Sequence, residues 1–219
     1  MSTTPFHHQD ILQKFRSREA NILIGTQVLA KGHHLPGVTL VGVVLADIGL
    51  NIPDFRSAER SFQLLCQVSG RAGRGNQKGQ VIIQTYQPDH YSITSAAAQD
   101  YQNFFNIESD YRKKFSYPPY SKMIKLSCHN TSNIFAEKEA IKMVGQLKSE
   151  QHNWGLEDVD IIGPLPGFPA RVRGHYRWQV ILRGSNPRLL LDKIYLRSTQ
   201  NSYGRAPKGW VIDVDPVFT

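Results

Sequence analysis

Cysteine is scarce in this sequence, which also has no long hydrophobic run. The two cysteines, Cys66 and Cys128, are too far apart for a CxxC metal site, so neither a zinc module nor a disulfide scaffold is predicted. The most apolar stretch, residues 39–50, contains Asp47 and is far shorter than the roughly 20 residues that cross a bilayer. No apolar run follows a basic region at the N-terminus. We therefore expect a cytoplasmic protein without a secretory signal or a membrane partner.

Positive charge exceeds negative charge. The chain has 26 Lys and Arg against 18 Asp and Glu, a formal net charge of +8 and an isoelectric point near 9.5. This balance favours a polyanionic partner, of which nucleic acid is the first candidate. A basic protein without such a partner is the open alternative.

The first 88 residues alternate between helical and strand patterns, which predicts an α/β unit with a parallel sheet and helices packed against it. Residues 39–46 are apolar throughout, so we expect a central strand that is covered on both faces. The other predicted elements are helices near 9–18 and 56–68 and strands near 21–24 and 80–86.

A helical pattern then runs over residues 89–117 and stops at the sequence YPPY, because proline lacks a backbone donor and restricts its predecessor. We predict a helical linker over residues 89–120 and a second domain over residues 121–219. That domain has the order β-α-β-β-α-β, which is typical of an α+β ferredoxin-like fold. Its predicted strands are 122–129, 159–163, 177–183 and 210–214, and its helices are 133–151 and 187–198.

Two arginines occur in the run QVSGRAGR, residues 67–74, directly after a predicted helix. Arg71 and Arg74 are three positions apart, and Gly70 and Gly73 let the backbone approach a bound group. Because a guanidinium donates paired hydrogen bonds to phosphate and stays charged, the pair suits a phosphoryl group. A glycine-capped helix end with solvated arginines is the alternative.

A second glycine-bearing loop, GTQVLAKGHH, covers residues 25–34. It follows a predicted strand, at the sheet edge where α/β proteins bind ligands. Backbone amides, Thr26 and Lys31 suit the phosphates of a nucleotide or of a DNA strand. His33 and His34 are adjacent and have no third ligand nearby, so no metal site is predicted.

With the segment between them, these two loops resemble motifs V and VI in the second motor lobe of superfamily 2 helicases. The segment LNIPDFRSAERSFQLL narrows the resemblance to the PriA family of bacterial primosomal replication-restart helicases, and YPPY, RWQVIL and WVIDVDP are similar to the C-terminal domain of that family. The resemblance covers nearly the whole chain. It implies a partial RecA-like lobe and a ferredoxin-like domain, in an ATP-dependent 3′ to 5′ DNA helicase that recognises stalled forks and restarts replication by primosome assembly.

The resemblance also implies roles for individual residues. The catalytic set at the nucleotide phosphates is Gln67, Arg71 and Arg74. The residues expected near the cofactor are Gly70, Gly73 and Asp47. For Asp47, a structural cap of the following loop is the alternative. The residues expected to contact DNA in this lobe are Gly25, Thr26, Gln27, Lys31 and Gly32.

The sequence lacks a GxxxxGK[ST] loop and an acidic DExH-type box, so it has no means of its own to hold ATP and Mg²⁺. The cysteine-rich, zinc-binding insertion that the family carries before motif V is also absent. We therefore expect a C-terminal portion of such a helicase. ATP and Mg²⁺ would be bound together with a first lobe, and zinc would belong to the parent protein only. An ATP-independent nucleic-acid-binding module is the alternative.

Basic residues recur at every second position before and within the strand predicted at 177–183. If the chain is extended there, one face carries Arg171, Arg173, His175, Arg177 and Arg183, while Trp178, Val180 and Leu182 point into the core. We expect this row to bind DNA phosphates, reinforced by Lys125 and His129 if the sheet brings them near. A solvated sheet face is the alternative.

The expected partners are forked or single-stranded DNA and, by the resemblance, other primosome proteins and the acidic C-terminal tail of single-stranded DNA-binding protein. A helix that begins with Pro187 and Arg188 offers backbone amides and a guanidinium to a peptide carboxylate. Arg188 is therefore the candidate contact for that tail.

Overall fold

The computed structural model describes residues 5–27, 35, 37–70, 72, 79–198 and 209–217. They belong to two compact units, one drawn from residues 1–52 and 56–107 and the other from residues 53–55 and 108–219. The predicted boundaries at residues 88 and 120 stay predictions, because compactness alone does not define a functional domain. Within the described ranges, no helix is both long and apolar enough to cross a bilayer.

The first unit contains a small parallel sheet and helices packed beside it. Its elements are α1 (Pro5–Arg16), β1 (Leu40–Val43), α2 (Asp47–Leu50), α3 (Ser57–Ser69), β2 (Gln80–Ile83), α4 (Tyr91–Ala98) and α5 (Tyr101–Lys114), the last of which continues into the second unit. Strands β1 and β2 pair in parallel, with Leu40 opposite Gln80 and Val43 opposite Ile83. The predicted parallel pairing is confirmed.

The core of the first unit forms where α3, α4 and α5 meet. Phe62 and Leu65 of α3 pack with Ile93, Ala96 and Phe104, and each of the five is at most 5% exposed. The rings of Phe62 and Phe104 are stacked, with centroids 4.1 Å apart. The apolar face of α3 thus packs against α4 and α5. This packing fixes the position of α3, whose last three residues begin the run 67–74.

Two predicted strands differ from the structure. Residues 21–24 form no strand, and Ile22 and Ile24 are 78% and 90% exposed. The prediction that residues 39–46 are covered on both faces is wrong, because Leu40 of β1 is 56% exposed while Val43 packs against the core. An apolar run alone does not determine whether a second layer covers the strand.

The helical pattern of residues 89–117 is divided between α4 and α5. Helix α4 ends at Gln99, which has a left-handed φ of 54°. Asp100 then caps α5, since its carboxylate accepts a hydrogen bond from the Asn103 N–H at 2.9 Å. A short acidic side chain before a helix is a start signal, and it explains the break in an otherwise continuous pattern.

The second unit contains, among its described residues, the end of α5, a four-stranded antiparallel sheet and two complete helices. Its elements are β3 (Lys122–Asn130), α6 (Asn133–Trp154), β4 (Val159–Val172), β5 (His175–Gly184), α7 (Pro187–Ser198) and β6 (Trp210–Val214). The strand order is β4-β5-β3-β6, and each neighbouring pair is antiparallel. The predicted ferredoxin-like β-α-β-β-α-β order is confirmed.

The two faces of this sheet differ. Ile124 and Leu126 of β3 and Val180 and Leu182 of β5 form the core with residues of α6 and α7, and each is at most 1% exposed. Successive side chains of a strand point to opposite faces. The odd-numbered positions of β3 and β5 therefore face away from the helices.

Strands β4 and β5 form a longer hairpin than predicted. Strand β4 continues past Gly163 to Val172, with irregular register at two places. The turn is formed by Arg173 and Gly174, which have positive φ values of 49° and 83°. The expectation that the basic row from Arg171 to Arg177 lies on one strand is therefore wrong, because the chain reverses between the two.

Candidate nucleic-acid interface

The residues expected at the nucleotide and at the DNA strand of the motor lobe are only partly described. Gly25, Thr26 and Gln27 are exposed, and Gln67 and Gly70 are exposed at the end of α3. The expected residues that lie outside the described ranges are Lys31, Gly32, Arg71, Gly73 and Arg74. The described residues alone do not assemble a nucleotide site.

Gly70 follows α3 without adopting a left-handed conformation. Its φ is −68°, and its N–H donates to the carbonyl oxygen of Cys66 at 3.1 Å. A Cβ at this position would lie 3.6 Å from the nearest atom, which is an ordinary contact. The backbone does not require glycine here, and the close approach of a ligand stays a prediction.

Asp47 begins α2, shortly after β1, and is 4% exposed. Its carboxylate accepts hydrogen bonds from Thr85 Oγ1 at 2.8 Å and from the Tyr86 N–H at 3.0 Å, just beyond β2. Burial alone would raise the pKa of Asp47, but the hydrogen bonds from Tyr86, Thr85 and the nearby backbone outweigh it and lower the pKa. These contacts tie the ends of two strands together, a structural role other than the predicted cap of the following loop, and the cofactor contact stays a prediction.

Lys125, His129 and Arg177 lie on the same face of the sheet, remote from the helices. His129 and Arg177 are directly opposite each other on β3 and β5, a position in which Cβ atoms are about 5 Å apart. Lys125 is buried, with Nζ 3.9 Å from Asp213 Oδ2. Burial is the largest effect on Lys125 and lowers its pKa. The charge of Arg177 also lowers this pKa, whereas the charges of Asp213 and Asp54 raise it. The sheet thus pairs His129 with Arg177, whereas Lys125 lies four residues, about 13 Å, further along β3 and has its charge balanced by carboxylates.

Arg177 is tightly packed but incompletely bonded. Its Nε is buried and has no hydrogen-bond partner in the described parts of the chain. A Cβ on Gly167 would lie 3.0 Å from Arg177 Cβ, so β4 runs close against this side chain. Buried donors are nearly always partnered in folded proteins, so this nitrogen is an exception among the described residues.

The β4–β5 hairpin end carries further basic residues. The guanidinium of Arg171 lies 4.9 Å over the Tyr176 ring, and His175 Nδ1 lies 3.2 Å from the Arg173 carbonyl oxygen. We define the hairpin cluster as Arg171, Arg173, His175, Arg177 and His129. As far as the structure describes the chain, no carboxylate forms an ion pair with any member of this cluster.

Arg183 and Arg188 lie apart from the hairpin cluster. The guanidinium of Arg183 bonds to Asp160 on β4. The side chain of Arg188 in the first turn of α7 is 77% exposed, and its Nε lies 3.9 Å from Asp192 Oδ2. The basic row predicted from the sequence is therefore divided, with Arg171, Arg173 and Arg177 at the hairpin end and Arg183 held by a carboxylate.

Gly167, which packs against Arg177, and Tyr176, which lies under Arg171 on the opposite face of β5 from Arg177, carry no prediction from the sequence. For Tyr176 a signal exists, because an aromatic residue between basic ones is typical of nucleic-acid-binding surfaces. For Gly167 no local signal exists, since its contact with Arg177 depends on the irregular register of β4.

Comparisons with known proteins match both units. The family model of the helicase conserved C-terminal domain matches residues 1–76, and that of the primosomal protein N C-terminal domain matches residues 113–217. Replication restart protein PriA of Bacillus subtilis is 46% identical over 176 residues, which are 80% of this chain and 21% of that protein. The proteins of the same name from Treponema pallidum and Chlamydia trachomatis are 38% and 35% identical, over 96% and 99% of this chain and 31% and 28% of their own lengths. The chain thus spans between about a fifth and a third of the relatives it matches.

Proposed function

We propose, from the premise that this chain belongs to the PriA family of replication restart proteins, that it is the C-terminal part of an ATP-dependent 3′ to 5′ DNA helicase. The complete protein would recognise stalled replication forks and restart replication by primosome assembly. The observation that carries the proposal is the order of the matched domains, a helicase C-terminal domain followed by a primosomal protein N C-terminal domain. A protein that acts on chromosomal DNA in this way would work in the cytoplasm.

In the motor half, Arg71 and Arg74 would reach nucleotide phosphates that a first lobe holds with Mg²⁺, and Gln67 begins the same motif. An arginine that stabilises the charge of a transferred phosphoryl group contributes roughly 10³ to 10⁵ in turnover. Gly70 and Gly73 would allow the nucleotide to approach the backbone. The residues proposed to contact the DNA strand along which the motor moves are Gly25, Thr26, Gln27, Lys31 and Gly32. Zinc would be bound elsewhere in the complete protein.

DNA-stimulated ATP hydrolysis tests the motor assignment. In the complete protein, Arg74→Ala should abolish hydrolysis without loss of folding. Lys14→Ala is the control, because Lys14 pairs with Asp10 on the exposed surface of α1. The 219-residue chain alone should hydrolyse no ATP above a heat-inactivated sample. Hydrolysis by the chain alone that disappears in Arg74→Ala would refute the expectation that a first lobe is required.

The second unit would bind forked or single-stranded DNA through Arg171, Arg173 and Arg177 of the hairpin cluster. Contacts of this kind hold the DNA backbone without reading its sequence. Each phosphate contact adds about 0.7 to 0.9 to the slope of log affinity against log salt concentration. Affinity of the 219-residue chain for a forked duplex should therefore fall steeply with salt, and salt-independent binding would count against this interface.

The acidic tail of single-stranded DNA-binding protein and other primosome proteins are proposed as protein partners. The exposed Arg188 at the start of α7 supports a peptide carboxylate contact. In the complete protein, Arg188→Glu should weaken binding of the tail peptide. Lys142→Glu, on the exposed side of α6, should not. If Arg188→Glu binds the peptide as well as the unchanged protein does, the assignment fails.

An ATP-independent nucleic-acid-binding module is the second candidate. The hairpin cluster favours it, because phosphate contacts need no motor. The two candidates differ in ATP hydrolysis: a complete protein that binds forked DNA but shows no Arg74-dependent hydrolysis would favour the module.

A further inference from the structure

We propose that His129 and Arg177 together bind one backbone phosphate of DNA and that His129 binds it as an imidazolium. The inference rests on the proposed DNA binding of the second unit, and it adds a position for one phosphate and the uptake of a proton. The two side chains occupy directly opposite positions on β3 and β5 and face away from the helices. Cβ atoms in that arrangement are about 5 Å apart, so both side chains reach the same phosphate.

Arg177 supplies the first reason for placing an anion here. Its Nε is buried without an acceptor in the described ranges, and Gly167 leaves its side chain little room to move. Because this nitrogen is closed to solvent, a phosphate would bond to the terminal nitrogens of the guanidinium, which are not buried and form no ion pair in the described ranges.

The charges around His129 supply the second reason. Arg177 and His175 on β5 and Lys125 on β3 are basic. Of the carboxylates on this face in the described ranges, Asp213 of β6 and Asp54 act on Lys125, and Asp160 of β4 bonds to Arg183.

Desolvation and, next, the charges of Arg177 and His175 lower the pKa of His129, so the ring is mostly neutral at pH 7 in the free protein. A phosphate beside the ring favours the imidazolium and raises the pKa of His129. Binding then takes up a proton, and DNA affinity rises as the pH falls from 8 towards 6. If binding takes up one full proton, the DNA affinity rises by up to about tenfold for each unit by which the pH falls.

Binding of a labelled forked duplex to the 219-residue chain, measured between pH 6 and pH 8, tests the proton. Calorimetry in buffers of different ionisation enthalpy gives the number of protons taken up. His129→Gln should reduce the uptake and flatten the pH dependence. His152→Gln, in the exposed last turn of α6, should change neither. Equal proton uptake in His129→Gln and in the unchanged chain overturns the proposal.

Two further variants test the contribution of Arg177. Arg177→Gln should weaken binding at every pH and lower the salt slope by about one. Gly167→Ala, which pushes against the Arg177 side chain, should weaken binding in the same direction, whereas Gly145→Ala in α6 has open space and should not. Tryptophan fluorescence confirms that each variant is folded. An unchanged salt slope in folded Arg177→Gln overturns the phosphate contact.

Titration of the His129 ring by NMR with inorganic phosphate separates this inference from the proposed function. A rise in the pKa of His129 on adding phosphate supports the site, even if the chain binds no forked DNA and the proposed DNA contact fails. Salt-dependent DNA binding together with an unmoved His129 titration would retain the proposed function and overturn the inference.

Discussion

The guanidinium of Arg183 and the carboxylate of Asp160 are bonded across β5 and β4, with Nη2 and Nε at 2.7 Å and 3.2 Å from the same oxygen, Oδ2. The guanidinium also lies 5.0 Å over the Tyr117 ring. An arginine held by a carboxylate and a ring on the same face is occupied within the protein. This arrangement distinguishes Arg183 from the members of the hairpin cluster.

Replacing Arg183 should therefore affect folding more than DNA binding. Arg183→Gln should lower the free energy of unfolding by about 1 kcal/mol or less, because the pair is partly exposed to solvent. The salt slope of DNA binding should stay unchanged, whereas Arg171→Gln should lower it by about one. Urea unfolding and binding titrations measure the two effects. A lower salt slope in Arg183→Gln would contradict this expectation and support the direct DNA contact that the sequence predicts for Arg183.

The stability of the first unit should depend on the ionised form of Asp47. Because its pKa in the folded protein lies below the ordinary value of 3.8, the stabilisation is present above about pH 4 and is lost as the pH falls through the folded pKa. Asp47→Asn should destabilise the protein at pH 7, and the difference from the unchanged chain should shrink in acid. Circular dichroism of urea unfolding at several pH values measures it. Asp89→Asn, in an exposed loop, serves as the control, and equal pH profiles for both variants would contradict this role.

The stack of Phe62 and Phe104 should stabilise the first unit selectively. The three tryptophans, Trp154, Trp178 and Trp210, all lie in the second unit, so fluorescence reports on that unit and far-ultraviolet circular dichroism reports on both. Phe104→Ala should cost about 3–5 kcal/mol, because a ring only 4% exposed leaves a cavity. The circular dichroism transition should shift to lower urea more than the fluorescence transition does.

Leu182→Ala is the matched variant in the second unit. Leu182 is fully buried beneath the helices, and its truncation should cost about 2–5 kcal/mol. Here the fluorescence transition should move. If Phe104→Ala and Leu182→Ala shift both signals equally, the two units unfold as one, and the selective effect is wrong.

Gly70→Ala, at the end of α3, should lower ATP hydrolysis without lowering the stability of the fold. Because φ is helical and a Cβ would make only ordinary van der Waals contacts, alanine should leave the free energy of unfolding unchanged or raise it by about 0.5–1 kcal/mol. DNA-stimulated ATP hydrolysis of the complete protein should nevertheless fall, because the added methyl group occupies space proposed for a ligand. Gly145→Ala, at an open position within α6, should gain a similar stability with full hydrolysis. Normal hydrolysis in Gly70→Ala would remove the functional reason for this glycine.

The sequence predicts the ferredoxin-like order well because its buried strands have clear boundaries. In β5, Val180 and Leu182 alternate with polar or less buried positions. Helix α6 begins after Ser132, whose Oγ accepts a hydrogen bond from the Phe135 N–H, and it ends at Gly155, which has a left-handed conformation. Strong local signals of this kind determine the type of an element independently of its distant partners.

The extent of β4 is less predictable. Pro164, Pro166 and Pro169 interrupt the strand pattern after Gly163, because proline cannot donate to a ladder. The chain nevertheless stays paired on one side with β5, an edge position that tolerates proline. The hairpin turn at Arg173 consequently falls ten residues beyond the predicted strand end, which changes the set of basic residues that meet.

The pairing of His129 with Arg177 depends on two strands about fifty residues apart in sequence, so the local sequence does not determine it. The spacing of basic residues supplies candidates, and only the register of β3 against β5 selects His129 as the partner of Arg177. For the same reason, the hydrogen bonds that occupy Asp47 are invisible in its local sequence, because Thr85 and Tyr86 follow a different strand.

Residues 53–55 make the second unit discontinuous in sequence. The ring of Phe55 stacks on Tyr117 with centroids 5.2 Å apart, and the Arg112 guanidinium lies 5.2 Å over Phe55. A fragment that starts at residue 108 loses this ring and the carboxylate of Asp54 near Lys125. Moving this unit into another protein therefore requires junctions at two points of the host chain. A single junction at residue 108 would omit the segment that contains Asp54 and Phe55.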